Sequence, residues 1–289
     1  MDTTTIIITN RPFLSTTTNG ELKQIKYIQN DFARSVLSEL KNIDSYLFLK
    51  RKKIEIECNA QDFLSFYDKS KSDLIKVKKD HYFNLNPLFI ESNRLFINFS
   101  TSVRVLTSIV EKKIKDTYKK GDKEFLEFEN LRNSFYDSYF SYRFLYHIRN
   151  FALHFQYPIH FINVEYNDYY LDNPLKKDLH VMFDKDHLLA NKEFSKKMKK
   201  DLESYGQKFP ANPIIKETLK WLKDYFIKFI TIEKATYLKS IKIVESLGNI
   251  NSYQNLGISL KEPTSKTGFK ISTTDIPIVL LQEIKSNLK

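Results

Sequence analysis

Two stretches decide the fold: LFINFSTSVRVLTSIVEKKI at residues 95–114 and FLEFENLRNSFYDSYFSYRFL at residues 125–145. In both, apolar residues recur at intervals of three and four, which is the spacing of an amphipathic α-helix. The polar residues 117–123 separate them and include Gly121, a residue type that often ends a helix. Two long helices joined by a short turn pack most simply as an antiparallel hairpin. Pro158 ends the second helix, because the residue before a proline avoids the helical region.

The first 80 residues predict a mixed region. Apolar residues at helical spacing run through residues 20–50. Residues 54–58 alternate apolar side chains with glutamates, and this alternation predicts a short strand. Residues 60–78 fit another helix, whose end is made polar by lysines.

Beyond the second long helix the pattern changes twice. Residues 159–166 and 179–184 predict two short strands joined by a polar loop that contains Asn173-Pro174. Asn212-Pro213 then begins a third long helix, with the asparagine as the capping residue and the proline at the first helical position. Its apolar face consists of Leu219, Leu222, Phe226, Phe229, Ile230 and Leu238.

These elements predict a mainly α protein, a helical bundle with long antiparallel helices and a small β-hairpin excursion. We divide the chain into an N-terminal helical or mixed region at residues 1–80 and a helical bundle at residues 81–248. Residues 249–289 form a C-terminal tail of unknown role, because their pattern is weaker.

The composition excludes several classes of protein. With 23 Phe, 17 Tyr and 1 Trp in 289 residues, the chain is too aromatic to be disordered. No apolar window approaches the length of a membrane span, and the first residues do not have the pattern of a signal peptide. The single cysteine, Cys58, excludes a disulfide framework and fits a reducing compartment. We therefore expect a cytoplasmic protein with no membrane partner.

The net charge of +11 is concentrated in one part of the sequence. Residues 192–242 carry 13 Lys and 6 acidic residues, a net of +7, whereas residues 1–80 have a net of +3. Such a local excess suits a polyanion-binding surface, but lysines on an ordinary solvated face explain it equally well. The candidate RNA-backbone contacts are the lysines spaced along one face of the third helix, Lys216, Lys220 and Lys223.

Mixed histidines and aspartates lie in and just after the second predicted strand: His180, Asp184, Asp186 and His187. These residue types can ligate a metal ion. Their spacing matches no recognised ligand pattern, which favours ordinary polar residues on the surface of the β-excursion. We therefore predict no metal site and no cofactor.

An aromatic stripe on the second long helix ends in a charge. Phe128, Phe135, Tyr142 and Arg149 lie at intervals of seven, so Arg149 continues a face that should meet a partner. An unpaired buried cation is costly. Either the head group of Arg149 pairs with a carboxylate while its stem packs, or it faces a cavity at a functional interface.

The run HIRNFALH at residues 147–154 resembles the motif of the HEPN superfamily, an arginine followed by four to six residues and a histidine, commonly with a polar residue after the arginine. Arg149, Asn150 and His154 match it with a four-residue gap, and the resemblance covers about residues 85–245. It implies an all-α bundle. Many members are metal-independent endoribonucleases of toxin–antitoxin, CRISPR-associated or phage-defence systems, often with a composite site in a homodimer.

The resemblance assigns a role to each residue of the motif. His154 serves as base or acid, Arg149 holds the phosphate with its two-pronged guanidinium, and Asn150 orients the site. His147 and Tyr157 could assist, although structural roles are favoured for both. We expect RNA as substrate, products with a 2′,3′-cyclic phosphate and a 5′-hydroxyl, and a homodimer. An antitoxin or another defence-system protein is a further expected partner.

Two other interpretations remain open. The chain could be a non-catalytic HEPN-like module that recognises RNA, a nucleotide or a partner protein. It could also be a helical scaffold in which Arg149 belongs to a buried ion pair.

Overall fold

The computed structural model describes residues 11–76, 84–167, 176–190, 194–253, 255–263 and 269–288. Within these ranges the chain is helix-rich and has two small antiparallel sheets, so the prediction of a mainly α protein is confirmed. The chain divides into two compact units, residues 1–48 with 230–289, and residues 49–229. No helix in the described part is long and apolar enough to span a bilayer.

The elements, numbered along the chain, lie at the following residues. They are β1 (Phe13–Thr18), β2 (Glu21–Tyr27), α1 (Asn30–Lys76), α2 (Asn86–Thr117), α3 (Lys123–Ser138), α4 (Phe140–His154), β3 (Phe161–Asn167), β4 (Lys176–Asp184), α5 (Lys185–Leu189), α6 (Lys196–Glu203), β5 (Lys208–Pro210), α7 (Asn212–Ile232), α8 (Lys234–Glu245), a 3₁₀ turn (Ile250–Ser252), β6 (Leu256–Pro263), β7 (Phe269–Asp275) and α9 (Ile278–Asn287).

The first unit contains a four-stranded antiparallel sheet in the order β2-β1-β6-β7. Its strands come from both ends of the sequence, and Ser15 and Ser259 join β1 to β6 with a buried hydroxyl–hydroxyl hydrogen bond of 2.7 Å. Residues 11–48 and the described part of 249–289 therefore lie in one unit.

The helix predicted to begin near residue 20 is wrong over its first turns, because residues 21–27 form β2. Asn19 and Gly20 both have positive φ, 52° and 80°, which is the backbone of a tight hairpin turn. This turn pairs β2 with β1, and the helix begins only at Asn30.

The strand predicted at residues 54–58 is also wrong, because this segment lies inside the 47-residue helix α1. Ile56, Ala60 and Phe63 are fully buried at helical spacing. The alternation at residues 54–58 covers only five residues, whereas the apolar face of α1 continues on both sides of them and favours the helix. Residues 60–76 continue the same helix and do not form a separate one.

In the second unit, α2 confirms the first long helix, but the second is interrupted. Tyr139 has extended backbone angles, φ −116° and ψ 120°, and separates α3 from α4. The backbone groups freed by this break are satisfied by two side chains. Arg143 donates to the carbonyls of Tyr136 and Asp137, and Glu217 accepts from the amide of Ser141 at 2.7 Å.

Aromatic side chains join α3, α4 and α7 in the core of this unit. The ring of Trp221 lies 6.0 Å from Phe135 and 5.2 Å from Tyr142, and its indole nitrogen donates to Ser141 Oγ at 2.9 Å. The stripe predicted from Phe128, Phe135 and Tyr142 is therefore buried, as expected. It fixes the orientation of α4, on which the candidate site lies.

The β-hairpin excursion is confirmed by β3 and β4, which pair antiparallel from Phe161↔Met182 to Asn167↔Lys176. The predicted Asn173-Pro174 loop lies outside the described residues. Helix α7 begins at Asn212 as predicted, yet the side chain of Asn212 does not cap it, because its buried Oδ1 accepts no hydrogen bond. The carbonyl of Ala211 accepts from Ile214 and Ile215 instead. Leu238, assigned to the same helix, lies in α8.

Candidate functional site

Helix α4 carries the motif residues in its C-terminal half. At 100° per residue, Asn150 lies four positions and about 40° beyond Tyr146, and Arg149 lies seven positions beyond Tyr142 on nearly the same line. His154 ends the helix, about 140° from Arg149, and Asn150 lies between the two. The C-terminal half of α4 therefore carries an arginine, an amide and a histidine over an arc of about 140°, with the amide nearer to the histidine.

Arg149 is half-buried and has few partners. Its Nη1 donates to the side-chain oxygen of Asn150 at 3.4 Å, while its buried Nε has no hydrogen-bond partner in the structure. No carboxylate in the described ranges forms an ion pair with it. The structure thus provides no anion for this guanidinium, and leaves it available to a ligand.

His154 is exposed and lies among exposed apolar side chains. Leu153, Phe155 and Tyr157 are 53%, 55% and 52% exposed. The helix stays regular up to His154, which keeps the imidazole about 140° away from Arg149 around the helix axis. Among the described residues of one chain, no hydrogen bond joins the two side chains. Acting on one phosphate would need the reach of the long arginine side chain or a second copy of the site.

The end of α4 is held in place by its inner face. The buried ring of Phe151 stacks on Phe155 at 5.9 Å and contacts His160 at 6.0 Å and Phe194 at 6.2 Å. Tyr157 packs edge-to-face on Phe89 at 5.6 Å. These contacts fix the helix end without covering the motif residues.

His147, which the sequence singled out as a possible assistant, lies elsewhere. It lines a cavity of about 360 Å³ together with residues from four helices. The cavity, here named the tyrosine–arginine cavity, is bounded by Arg104, Thr107 and Glu111 of α2, Phe128, Arg132, Asn133 and Tyr136 of α3, Tyr142, Tyr146 and His147 of α4, and Tyr225 of α7.

Electrostatics keep the titratable side chains of the cavity in defined states. Burial, reinforced by Arg104, lowers the pKa of His147, so its imidazole is neutral at pH 7. Burial raises the pKa of Tyr142 to about 12 and that of Tyr225 well above its usual value, so both phenols keep their protons. Burial alone would raise the pKa of Glu111, but the adjacent cations lower it.

Sequence reasoning missed Arg104 and therefore the cavity. A signal was present, because Arg104 is the single charged residue of the apolar stretch 95–110. A charge on an amphipathic face calls for a partner, as it did at Arg149. The walls of the cavity come from segments far apart in sequence, and no local pattern joins them.

The three lysines of α7 are exposed as the spacing predicts: Lys216, Lys220 and Lys223. Trp221 and Tyr225 occupy the buried side of the same helix. A row of cations is thus presented to solvent, whichever of the two interpretations of the lysine excess applies.

The histidines and aspartates of the hairpin have structural partners. The carboxylate of Asp184 caps the N-terminus of α5 by accepting a hydrogen bond of 3.0 Å from the backbone amide of His187. The same carboxylate lies 3.1 Å from Nδ1 of the His187 ring. His180 Nε2 lies 3.4 Å from a carboxylate oxygen of Glu165. Among the described residues, no three His, Cys, Asp or Glu side chains are grouped as metal ligands.

No protein-family model, curated protein or solved structure matches the chain. Its function is therefore argued from its own residues.

Proposed function

We propose that the chain is a metal-independent endoribonuclease with a HEPN-type site on a helical bundle, formed by Arg149, Asn150 and His154. The observation that carries the proposal is the state of Arg149, a half-buried guanidinium with no acidic partner in the described chain, beside Asn150 and one and a half turns before an exposed histidine. A binding surface for phosphate has this form.

The reaction needs no group beyond RNA and these side chains. The 2′-oxygen of a ribose attacks the adjacent phosphorus as a base removes its proton, and the 5′-oxygen of the next nucleotide leaves with a proton from an acid. Arg149 stabilises the extra negative charge on the phosphate. The products are a 2′,3′-cyclic phosphate and a 5′-hydroxyl.

One chain supplies one histidine at this site, whereas base and acid must both act. A homodimer with facing α4 ends would supply two copies of His154 and Arg149. The exposed Leu153, Phe155 and Tyr157 beside the motif provide the apolar surface for such an interface. The lysine row of α7 would contact the RNA backbone, and a cytoplasmic defence or toxin role with a cognate partner protein fits this chemistry.

The test uses purified protein, single-stranded RNA and EDTA. We expect cleavage with a 2′,3′-cyclic phosphate on one product, seen by mass spectrometry. The same sequence with 2′-deoxyribose throughout should stay intact, since it has no nucleophile. Cleavage that requires added Mg²⁺, or that proceeds on the deoxy strand, would exclude this reaction.

The second candidate is a non-catalytic module that binds RNA or a nucleotide. It is favoured by the tyrosine–arginine cavity, which does not include Arg149 or His154. Tight RNA binding that is unaffected by His154→Ala, with no cleavage of any RNA, would select this candidate.

A further inference from the structure

The tyrosine–arginine cavity carries a cation, Arg104, that acts on the carboxylate of Glu111 through space without pairing with it. Arg104 forms no ion pair within the described residues, and its guanidinium lies 4.2 Å over the ring of Tyr146. Arg132, by contrast, is shared between Glu111 at 3.5 Å and Glu129 at 3.0 Å. Lys115 lies 2.6 Å from Glu111 and compensates it further. Glu111 is thus paired with Arg132 and Lys115, and Arg104 is the arginine of this cavity whose guanidinium has no ion pair and can contact an added anion.

The walls around this cation are aromatic. Phe128, Tyr142 and Tyr225 are buried, while Tyr136 and Tyr146 are partly exposed toward the opening. Nucleobases stack on tyrosine rings and on guanidinium planes, so the side chains that line this cavity suit a planar heterocyclic ring. The volume of about 360 Å³ is within the range of cavities that hold small ligands.

Two polar groups add hydrogen-bonding capacity. His147 is neutral, and its buried Nε2 has no hydrogen-bond partner in the structure. Asn133 is exposed at the opening and offers an amide. A hydrocarbon ligand would leave these groups unsatisfied at a cost, whereas the edge of a heterocyclic base can pair with them.

Helix α4 connects the cavity to the proposed cleavage site. Tyr146 lines the cavity, and Asn150 follows it by four residues on the same side of the helix. This spacing is on the order of 6 Å along the helix axis. A strand whose phosphate contacts Arg149 would therefore have a neighbouring nucleotide at the cavity.

We infer that the tyrosine–arginine cavity binds one nucleotide of the RNA strand, with its base against the tyrosine walls and its phosphate on Arg104. This inference rests on the proposed endoribonuclease function and adds the subsite that selects the nucleotide near the cleaved bond. A free nucleotide has the same chemistry, so the experiment separates the two sources.

The probe is a fluorescein-labelled 12-nucleotide single-stranded RNA with 2′-O-methyl groups throughout, which cannot be cleaved because its 2′-oxygens are blocked. Binding is measured by fluorescence anisotropy in EDTA across a range of salt concentrations. The variants are Arg104→Ala, the exposed Asn133→Asp, and the control Arg94→Ala on the same helix. Circular dichroism confirms that each variant is folded, and a parallel titration uses adenosine 5′-monophosphate.

We expect Arg104→Ala to weaken binding at least tenfold and to reduce the slope of log K against log salt concentration by about 0.7, the loss of one phosphate contact. Asn133→Asp should weaken binding severalfold by placing a negative charge at the opening. Arg94→Ala should bind like the wild type, because its side chain is exposed and paired with Glu91.

Wild-type affinity and salt slope in Arg104→Ala would overturn the inference. Arg104-dependent binding of adenosine 5′-monophosphate with Arg104-independent RNA binding would overturn the assignment to an RNA strand. If Arg104-dependent RNA binding is found but the wild type cleaves no unmodified RNA, the proposed function fails while the binding subsite remains.

Discussion

Helix α4 carries two arginines six residues apart whose surroundings differ completely. Arg143 is buried, forms a 2.6 Å ion pair with Asp201 and donates to two backbone carbonyls. Arg149 is half-buried, contacts its neighbour Asn150 and has an Nε without a partner. The first guanidinium is paired by the fold, and the second has no ion pair among the described residues.

This difference separates an arginine that the fold uses from one proposed to bind a ligand, which neither charge nor sequence does. Both arginines follow apolar residues on the same helix, and for both the sequence predicts a partner, because an unpaired charge near a core is costly. The reason at Arg143 is the break at Tyr139, whose freed carbonyls it satisfies. No such reason is found around Arg149 in the described chain, and Arg104 in the cavity resembles it in this respect.

The largest expected effect is on the rate of RNA cleavage, and it should distinguish His154 from a histidine outside the motif. His154→Ala should lower the RNA cleavage rate by roughly 10²–10⁴-fold, the usual contribution of a general acid or base. The matched control is His180→Ala, which removes a histidine of the hairpin near Glu165 and should keep the rate within about threefold. The cleavage rates of the two variants and the wild type are compared under single-turnover conditions in EDTA. Equal losses in both variants would contradict a specific role for His154.

The next effect concerns Arg143, the buried arginine of the pair. Arg143→Ala should lower the free energy of unfolding by about 3 kcal/mol, because it leaves Asp201 unpaired in a partly buried position and frees two carbonyls. Urea denaturation measures this loss. The control Arg94→Ala removes an exposed pair with Glu91 and should cost below about 0.5 kcal/mol. Similar small losses in both variants would show that Arg143 does not support the break at Tyr139.

The smallest effect tests how the end of α4 is held. Burial, with the adjacent His187, lowers the pKa of His160 to about 4. Between pH 6.5 and 4 the unfolded chain therefore takes up a proton at His160 that the folded chain excludes, so the free energy of unfolding falls as the pH falls. Allowing for solvent screening, we expect this contribution to be roughly 2 kcal/mol.

His160→Asn should flatten the pH dependence over this window, because asparagine can still accept the 3.3 Å hydrogen bond from the amide of Asp184 but does not titrate. Urea denaturation at several pH values compares the two proteins. The same slope for His160→Asn and the wild type would contradict the assignment.

Much of the fold could be predicted from the sequence because its signals are local. The apolar spacing of residues 95–114 is long and unbroken, and α2 follows it. The break at Tyr139 could not be predicted, because it depends on Arg143 and Glu217, and Glu217 is far along the chain. The strand β2 was missed because its pairing with β1 depends on a turn at Asn19-Gly20, a short signal beside a long helical pattern.

The candidate site was predictable only in part, for the same reason. Arg149, Asn150 and His154 share one helix, so their spacing alone places Asn150 within about 40° of His154 and Arg149 about 140° away from it. The tyrosine–arginine cavity combines α2, α3, α4 and α7, and its decisive cation, Arg104, carries no motif. His147 lies two residues before the motif in the sequence, but in the fold it lines the cavity, a position that the sequence does not show.

The most direct measurement of the central claim is made on Arg149→Ala, with RNA cleavage in EDTA and urea unfolding recorded on the same preparation. The prediction is that cleavage falls at least 100-fold while the free energy of unfolding changes by less than about 1 kcal/mol, since this guanidinium forms no hydrogen bond or ion pair among the described residues beyond its bond to Asn150. Cleavage within threefold of the wild type, or a loss of cleavage matched by a loss of stability as large as that of Arg143→Ala, would contradict it.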